Sequence, residues 1–153
     1  MTLSELIKPD LVLPKIACAS KDELITKLAE KVFEVNHDIP FSQDTVLHAI
    51  QMREQIGGTM LPSGLSVPHA RLREYEGFIL ALGIPEQPIF HEGIQIRLMS
   101  LMISSQSGGN FYLPTLAALT KISRNGEHFT RLCAAENSED FIRLLREQEP
   151  ELD

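Results

Sequence analysis

Residues 78–103 read FILALGIPEQPIFHEGIQIRLMSLMI, and they decide the class of fold. Residues 78–84 form a continuous apolar run, as expected of a buried strand. Residues 94–103 read as a second strand. The first half of that segment alternates through Ile94, Ile96 and Leu98, the pattern of a strand with one face buried.

On both sides of this stretch the pattern turns helical. Ser20 and Glu23 have the spacing of a capping box, in which each side chain covers an orphan backbone N–H. Leu24, Leu28, Ala29, Val32 and Phe33 then recur at helical spacing, and the helix should end near Asn36. Ser42 or Asp44 starts a second helix through Val46, Leu47 and Ile50, stopped by Gly57-Gly58. Beyond the strands, Leu113, Leu116, Ala117 and Lys121 mark the turns of a third helix. Two shorter ones are expected over residues 127–135 and 138–148. A short strand is expected at 11–13, and residues 59–71 read as a Gly- and Pro-punctuated loop with a short strand at 65–67. Residues 104–110 read as a polar loop. Strands mixed with helices, without a linker or repeat, predict one α/β domain over residues 1–153. Its central sheet should be mixed and flanked by helices.

Composition removes several functions. The 153 residues carry 14 Lys and Arg against 21 Asp and Glu, a net charge of −7, with no basic stripe for nucleic acid. No apolar run approaches the ~18 residues of a membrane span, and the N-terminus lacks the features of a signal peptide. Cys18 and Cys133 are far apart and read as two semi-buried thiols in a reducing compartment, which makes the cytoplasm the expected location. No H-E-x-x-H pair or Cys/His cluster indicates a metal, and no Lys-Ser/Thr completes a phosphate-binding loop after Gly58 and Gly64.

The distinctive chemistry lies in Val67-Pro68-His69-Ala70-Arg71. Neutral imidazole carries a lone pair and can act as a nucleophile near pH 7. A lone histidine is more often structural or solvated, and His37, His48, His91 and His128 have nothing beside them in sequence to suggest more. Arg53, at the end of the second helix, could stabilise an anion held by the following loop. The plainer reading is an exposed arginine favoured by the helix dipole. Gly64-Leu65-Ser66-Val67-Pro68 nearly matches the nucleophile elbow of hydrolases, but Pro68 stands where that turn needs glycine.

Taken together, Arg53-Glu54-Gln55-Ile56-Gly57-Gly58-Thr59 and Gly64-Leu65-Ser66-Val67-Pro68-His69 resemble a known signature. It is that of enzyme IIA domains of the phosphoenolpyruvate-dependent phosphotransferase system, in the fructose/mannitol and nitrogen-regulatory class. The interval from Arg53 to His69 matches the family's, and the opening LSELIKPDLVL and closing ENSEDFIRLL also have counterparts there. The resemblance implies the mannitol-type IIA fold, with His69 as phosphoacceptor and Arg53 beside the phosphoryl group. It implies the histidine phosphocarrier protein as donor and a IIB component or a regulatory target as recipient. Thr59 and backbone N–H groups of the Gly57-Gly58-Thr59 loop would help stabilise the phosphoryl oxygens, with no metal or organic cofactor. The family often has a second histidine near the phosphoacceptor, and here Tyr112 stands at that place, where its hydroxyl would help stabilise the phosphoryl group by donating a hydrogen bond without becoming cationic. Ala70 and Pro62 replace two glycines common in the family. A IIA-like regulatory binding module that no longer transfers phosphate is the alternative, motivated by Tyr112.

Overall fold

Strands β1 (Val12–Ile16), β2 (Leu65–Ser66), β3 (His69–Leu72), β4 (Phe78–Pro85) and β7 (Leu98–Ser105) make one sheet. The structure, a computed structural model, describes residues 1–106 and 111–152. β4 and β7 form the antiparallel centre, β1 runs parallel to β4, and β2 and β3 both run parallel to β7 on its other side. The sheet is therefore mixed, as the sequence predicts, and β3 lies at its edge.

Side-chain alternation along the strands builds two cores rather than one. Leu80, Leu82, Leu98 and Met102 face one side, against α1 (Leu3–Leu6), α4 (Tyr112–Arg124), α5 (Gly126–Cys133) and α6 (Ser138–Glu147). Ile79, Ala81, Leu101 and Ile103 face the other, against α2 (Lys21–Val35) and α3 (Gln43–Ile56). The continuous apolar runs are thus strands covered on both faces. At Gly83 the cover is close, since an added Cβ would lie 2.9 Å from a methyl of Leu28 in α2.

The helix starts obey local rules. Ser20 accepts a hydrogen bond from the Glu23 amide, and Ser42, rather than Asp44, accepts from the Thr45 amide. Asn125 caps α5 in the same manner, and Asn137 caps α6 one residue before the expected start. The short α1 and the 3-10 turn at Pro9–Leu11 carry no periodic signal long enough to read.

Three expectations are corrected. Residues 94–103 are not one strand: β6 (Ile94–Ile96) pairs with β5 (Ile89–His91) in a separate hairpin, and β7 begins after Arg97. Ile96 packs in the α2/α3 core and Leu98 in the opposite one, so the chain switches faces at Arg97. The Arg97 amide is held by the Gly64 carbonyl at 2.8 Å, and its guanidinium lies 4.7 Å from the Phe129 ring centroid. Gly64 has φ +95°, and a Cβ there would meet the Gln95 carbonyl at 2.8 Å, so this turn requires glycine. Second, residues 69–71 are strand rather than loop, because β3 pairs with β7 from His69↔Met102 to Leu72↔Ser105. Third, the loop expected from Ser104 begins later, since β7 runs through Ser105; residues 107–110 lie outside those described.

Candidate functional site

His69 opens β3 directly after Pro68, which separates it from β2. Proline has no amide to donate, and here its carbonyl accepts from the Met102 amide at 3.0 Å, which ties the edge strand to β7. Alternation then puts His69 and Arg71 on one face of β3, the face turned toward α4. Ser104 is opposite Arg71 in the register, and its Oγ lies 3.1 Å from His69 Nε2. That hydrogen bond fixes the rotation of the imidazole.

Helix α4 begins at Tyr112, whose ring stacks on the imidazole with centroids 4.0 Å apart and planes within 12°. The Arg71 guanidinium carbon is 5.3 Å from the centroid of the same ring. On the opposite side, the last turns of α3 contribute Met52, Arg53 and Ile56. These residues enclose a cleft of about 430 Å³ at the sheet edge. Only 5% of His69 is exposed.

The charges of the cleft are unbalanced. Arg53 Nη1 donates to the Gly57 carbonyl at 3.2 Å, covering one of the orphan carbonyls at its own helix end. Among the described residues neither Arg53 nor Arg71 has a carboxylate at ion-pair distance, although the chain is acidic overall. Burial pushes the His69 pKa down to about 4, and the positive charges of Arg71 and then Arg53 push in the same direction. At neutral pH the imidazole is uncharged and keeps a nucleophilic lone pair.

Of the residues singled out in the sequence, His69, Arg53 and Tyr112 come together in this cleft. Thr59 does not line it. The Thr59 hydroxyl donates to Glu54 Oε1 at 2.6 Å, and Glu54 Oε2 lies 3.4 Å from Lys21 Nζ, an ion contact without hydrogen-bond geometry. Both side chains of this pair are largely buried, at 6% exposed for Lys21 and 13% for Glu54. Ser66 is sealed in β2 with its hydroxyl unpartnered, so no base activates it and the hydrolase reading falls. His128 is buried in α5, with Nε2 donating to the Leu144 carbonyl at 2.8 Å. Cys18 and Cys133 are unpaired, and burial pushes the Cys133 thiol up to about 12. Among the described residues no three His, Cys, Asp or Glu side chains gather as a metal site, and no helix is long and apolar enough to cross a membrane.

Sequence reading missed Arg71 and Ser104. Arg71 carried a usable signal, because it stands two positions after His69 and any strand there would align them. The expectation of a loop hid it. Ser104 carried none, since only the β3–β7 register brings it to the imidazole.

Residues 5–148 match the family described as phosphoenolpyruvate-dependent sugar phosphotransferase system, EIIA 2. A nitrogen regulatory protein of Bradyrhizobium diazoefficiens is 24% identical over 148 residues, 95% of each chain. The crystal structure of nitrogen regulatory protein IIA-Ntr from Neisseria meningitidis superposes with a TM-score of 0.76 at 17% identity, covering 94% of this chain and 98% of that one. The mannitol enzyme IIA of Escherichia coli, in its complex with phosphorylated enzyme IIB, superposes with a TM-score of 0.70 at 16% identity. That match covers 93% of this chain and 98% of that one. The mannitol-type IIA fold expected from the sequence is the fold observed.

Proposed function

The chain belongs to the EIIA 2 family of the phosphoenolpyruvate-dependent phosphotransferase system, and on that premise we propose that it carries a phosphoryl group on His69. The observation that supports this most is the neutral imidazole sharing a cleft with two arginines that have no carboxylate partner among the described residues. An unpaired pair of cations around an uncharged nucleophile suits an anionic electrophile.

The chemistry asks little else. Phosphoryl transfer between two imidazoles requires in-line nitrogens and stabilisation of the charge on three equatorial oxygens. The lone pair of His69 forms the new P–N bond, and the P–N bond of the donor phosphohistidine breaks with its electron pair returning to the donor ring. A proton on the far nitrogen of each ring stays in place, so the donor leaves as neutral imidazole. The hydrogen bond to Ser104 and the stacked Tyr112 hold the His69 ring in one pose, which lowers the entropy lost on reaching the reactive geometry. Arg53 lines the same cleft and would exchange its bond to the Gly57 carbonyl for the phosphoryl oxygens.

The donor in this reading is the histidine phosphocarrier protein. The recipient is a IIB component or a regulatory target in the cytoplasm. Exposed Met52 and Ile56 line the cleft and give an apolar surface for a protein partner, whereas a sugar would need more polar walls. The mannitol enzyme IIA with the same fold assembles with enzyme IIB, which fits this choice of partner class.

A second reading, a IIA-like regulatory module without phosphoryl transfer, draws on the ring of Tyr112 covering the imidazole. Face stacking leaves the in-plane lone pair free, so the carrier reading stands ahead. Incubation with phosphoenolpyruvate, enzyme I and the phosphocarrier separates the two. A carrier gains one acid-labile phosphoryl group that His69→Ala abolishes, and a pure binding module gains none.

A further inference from the structure

We infer that Arg71 is a second phosphoryl-binding residue, supplying to the group on His69 a positive charge that Arg53 alone does not. This deepens the carrier reading and rests on it.

Three features meet at this side chain. Residues 69 and 71 point to the same side of the edge strand, so the guanidinium and the imidazole open into one cleft at about 7 Å spacing along the backbone. Arg71 is exposed and has no carboxylate partner among the described residues. Its guanidinium lies over the ring of Tyr112, which also stacks on His69. Elsewhere on the surface, Arg131 and Arg143 both pair with Glu147, and Arg73 donates to Gln106. Arg71 is instead held against Tyr112, next to the nucleophile.

The two arginines approach from different elements. Arg53 comes from the end of α3 and Arg71 from β3, so a phosphoryl group on the imidazole would sit between them. A transferring phosphoryl group spreads its charge over three oxygens, and two planar guanidiniums can bind separate oxygens where one leaves some to water. Arg71 needs only to swing from the Tyr112 ring to the oxygens. A cation–π contact at an exposed site is weaker than a charge-assisted hydrogen bond to an anion.

The test compares wild type with Arg71→Gln and Arg71→Lys, using two donors. One is the phosphorylated phosphocarrier protein. The other is phosphoramidate, a small molecule that transfers its phosphoryl group without a protein interface. Arg71→Gln should slow uptake about 10- to 100-fold with both donors, the usual effect of losing one donor to a developing anion. Arg71→Lys should recover part of the rate, and all variants should share the wild-type melting temperature because the side chain is exposed. A loss with the protein donor alone would make Arg71 a docking residue and overturn the inference, as would an unchanged rate with phosphoramidate. Wild type left unphosphorylated by both donors would instead overturn the carrier reading, and this inference with it.

Discussion

Arg53 and Glu54 are neighbours in the chain but belong to opposite kinds of site. Arg53 opens into the His69 cleft, where two guanidiniums have no carboxylate partner among the described residues. Glu54 turns away into a closed cluster, where its carboxylate meets the buried Lys21 ammonium and the Thr59 hydroxyl. Both regions gather charge at the C-terminal end of α3. In one the charge is neutralised within the chain and in the other it is left open. A buried pair that closes on itself ties elements together, here α2, α3 and the loop after Gly58. An open pair of cations beside a nucleophile is arranged for something that arrives from outside.

The sharpest way to break this contrast is to open the closed cluster. Glu54→Ala leaves the Lys21 ammonium buried without its counter-charge and should destabilise the fold by about 3 kcal/mol, read as a shift in urea midpoint. The double variant Lys21→Met with Glu54→Leu should regain most of that loss, since the pair is then replaced rather than broken. A small effect of Glu54→Ala would show that the cluster is hydrated and does not clamp α3.

Removing charge from the open region should have the opposite signature. Arg53→Ala should slow phosphoryl uptake about 10- to 100-fold, with at most about 1 kcal/mol lost from stability for the bond to Gly57. A large loss of stability with normal transfer would exchange the roles assigned to the two residues.

Tyr112 gives a smaller test. Tyr112→Phe keeps the stack on His69 and should change uptake by less than about threefold, because the hydroxyl is not part of the stacking contact. Tyr112→His should maintain or raise the rate. Loss of folding in either variant would make Tyr112 a packing residue above all.

The smallest effect is in pH. His69 stays unprotonated in the fold down to about pH 4, while the unfolded chain protonates it near 6.5. Between these values the unfolded state binds more protons, so this group's contribution to stability is complete above pH 6.5 and declines as the pH falls through the window. The same shift predicts that the acceptor activity of His69 is flat from pH 8 to 5. NMR titration of the His69 ring should give a midpoint near 4 in wild type and a higher one in Arg71→Gln.

The sequence made the helices legible because their caps are local: Ser20, Ser42 and Asn125 each satisfy an amide three residues on. The mixed sheet followed from two apolar runs. What could not be read was the switch at Arg97, which depends on the Gly64 carbonyl and the Phe129 ring, both distant in sequence. The cleft divides in the same way. His69 and Arg53 stand in a recognisable signature, whereas Ser104 and the true partner of Thr59 depend on register and on α3 packing. Taking residues 69–71 for loop concealed Arg71, although the spacing was in view.

The central claim is that His69 accepts the phosphoryl group. Intact mass after incubation with phosphoenolpyruvate, enzyme I and the phosphocarrier tests it most directly, with His69→Ala run beside wild type. One added phosphoryl group on wild type, labile to acid and absent from the variant, is the predicted result. An unmodified wild-type protein, or a phosphoryl group that persists in His69→Ala, would contradict it.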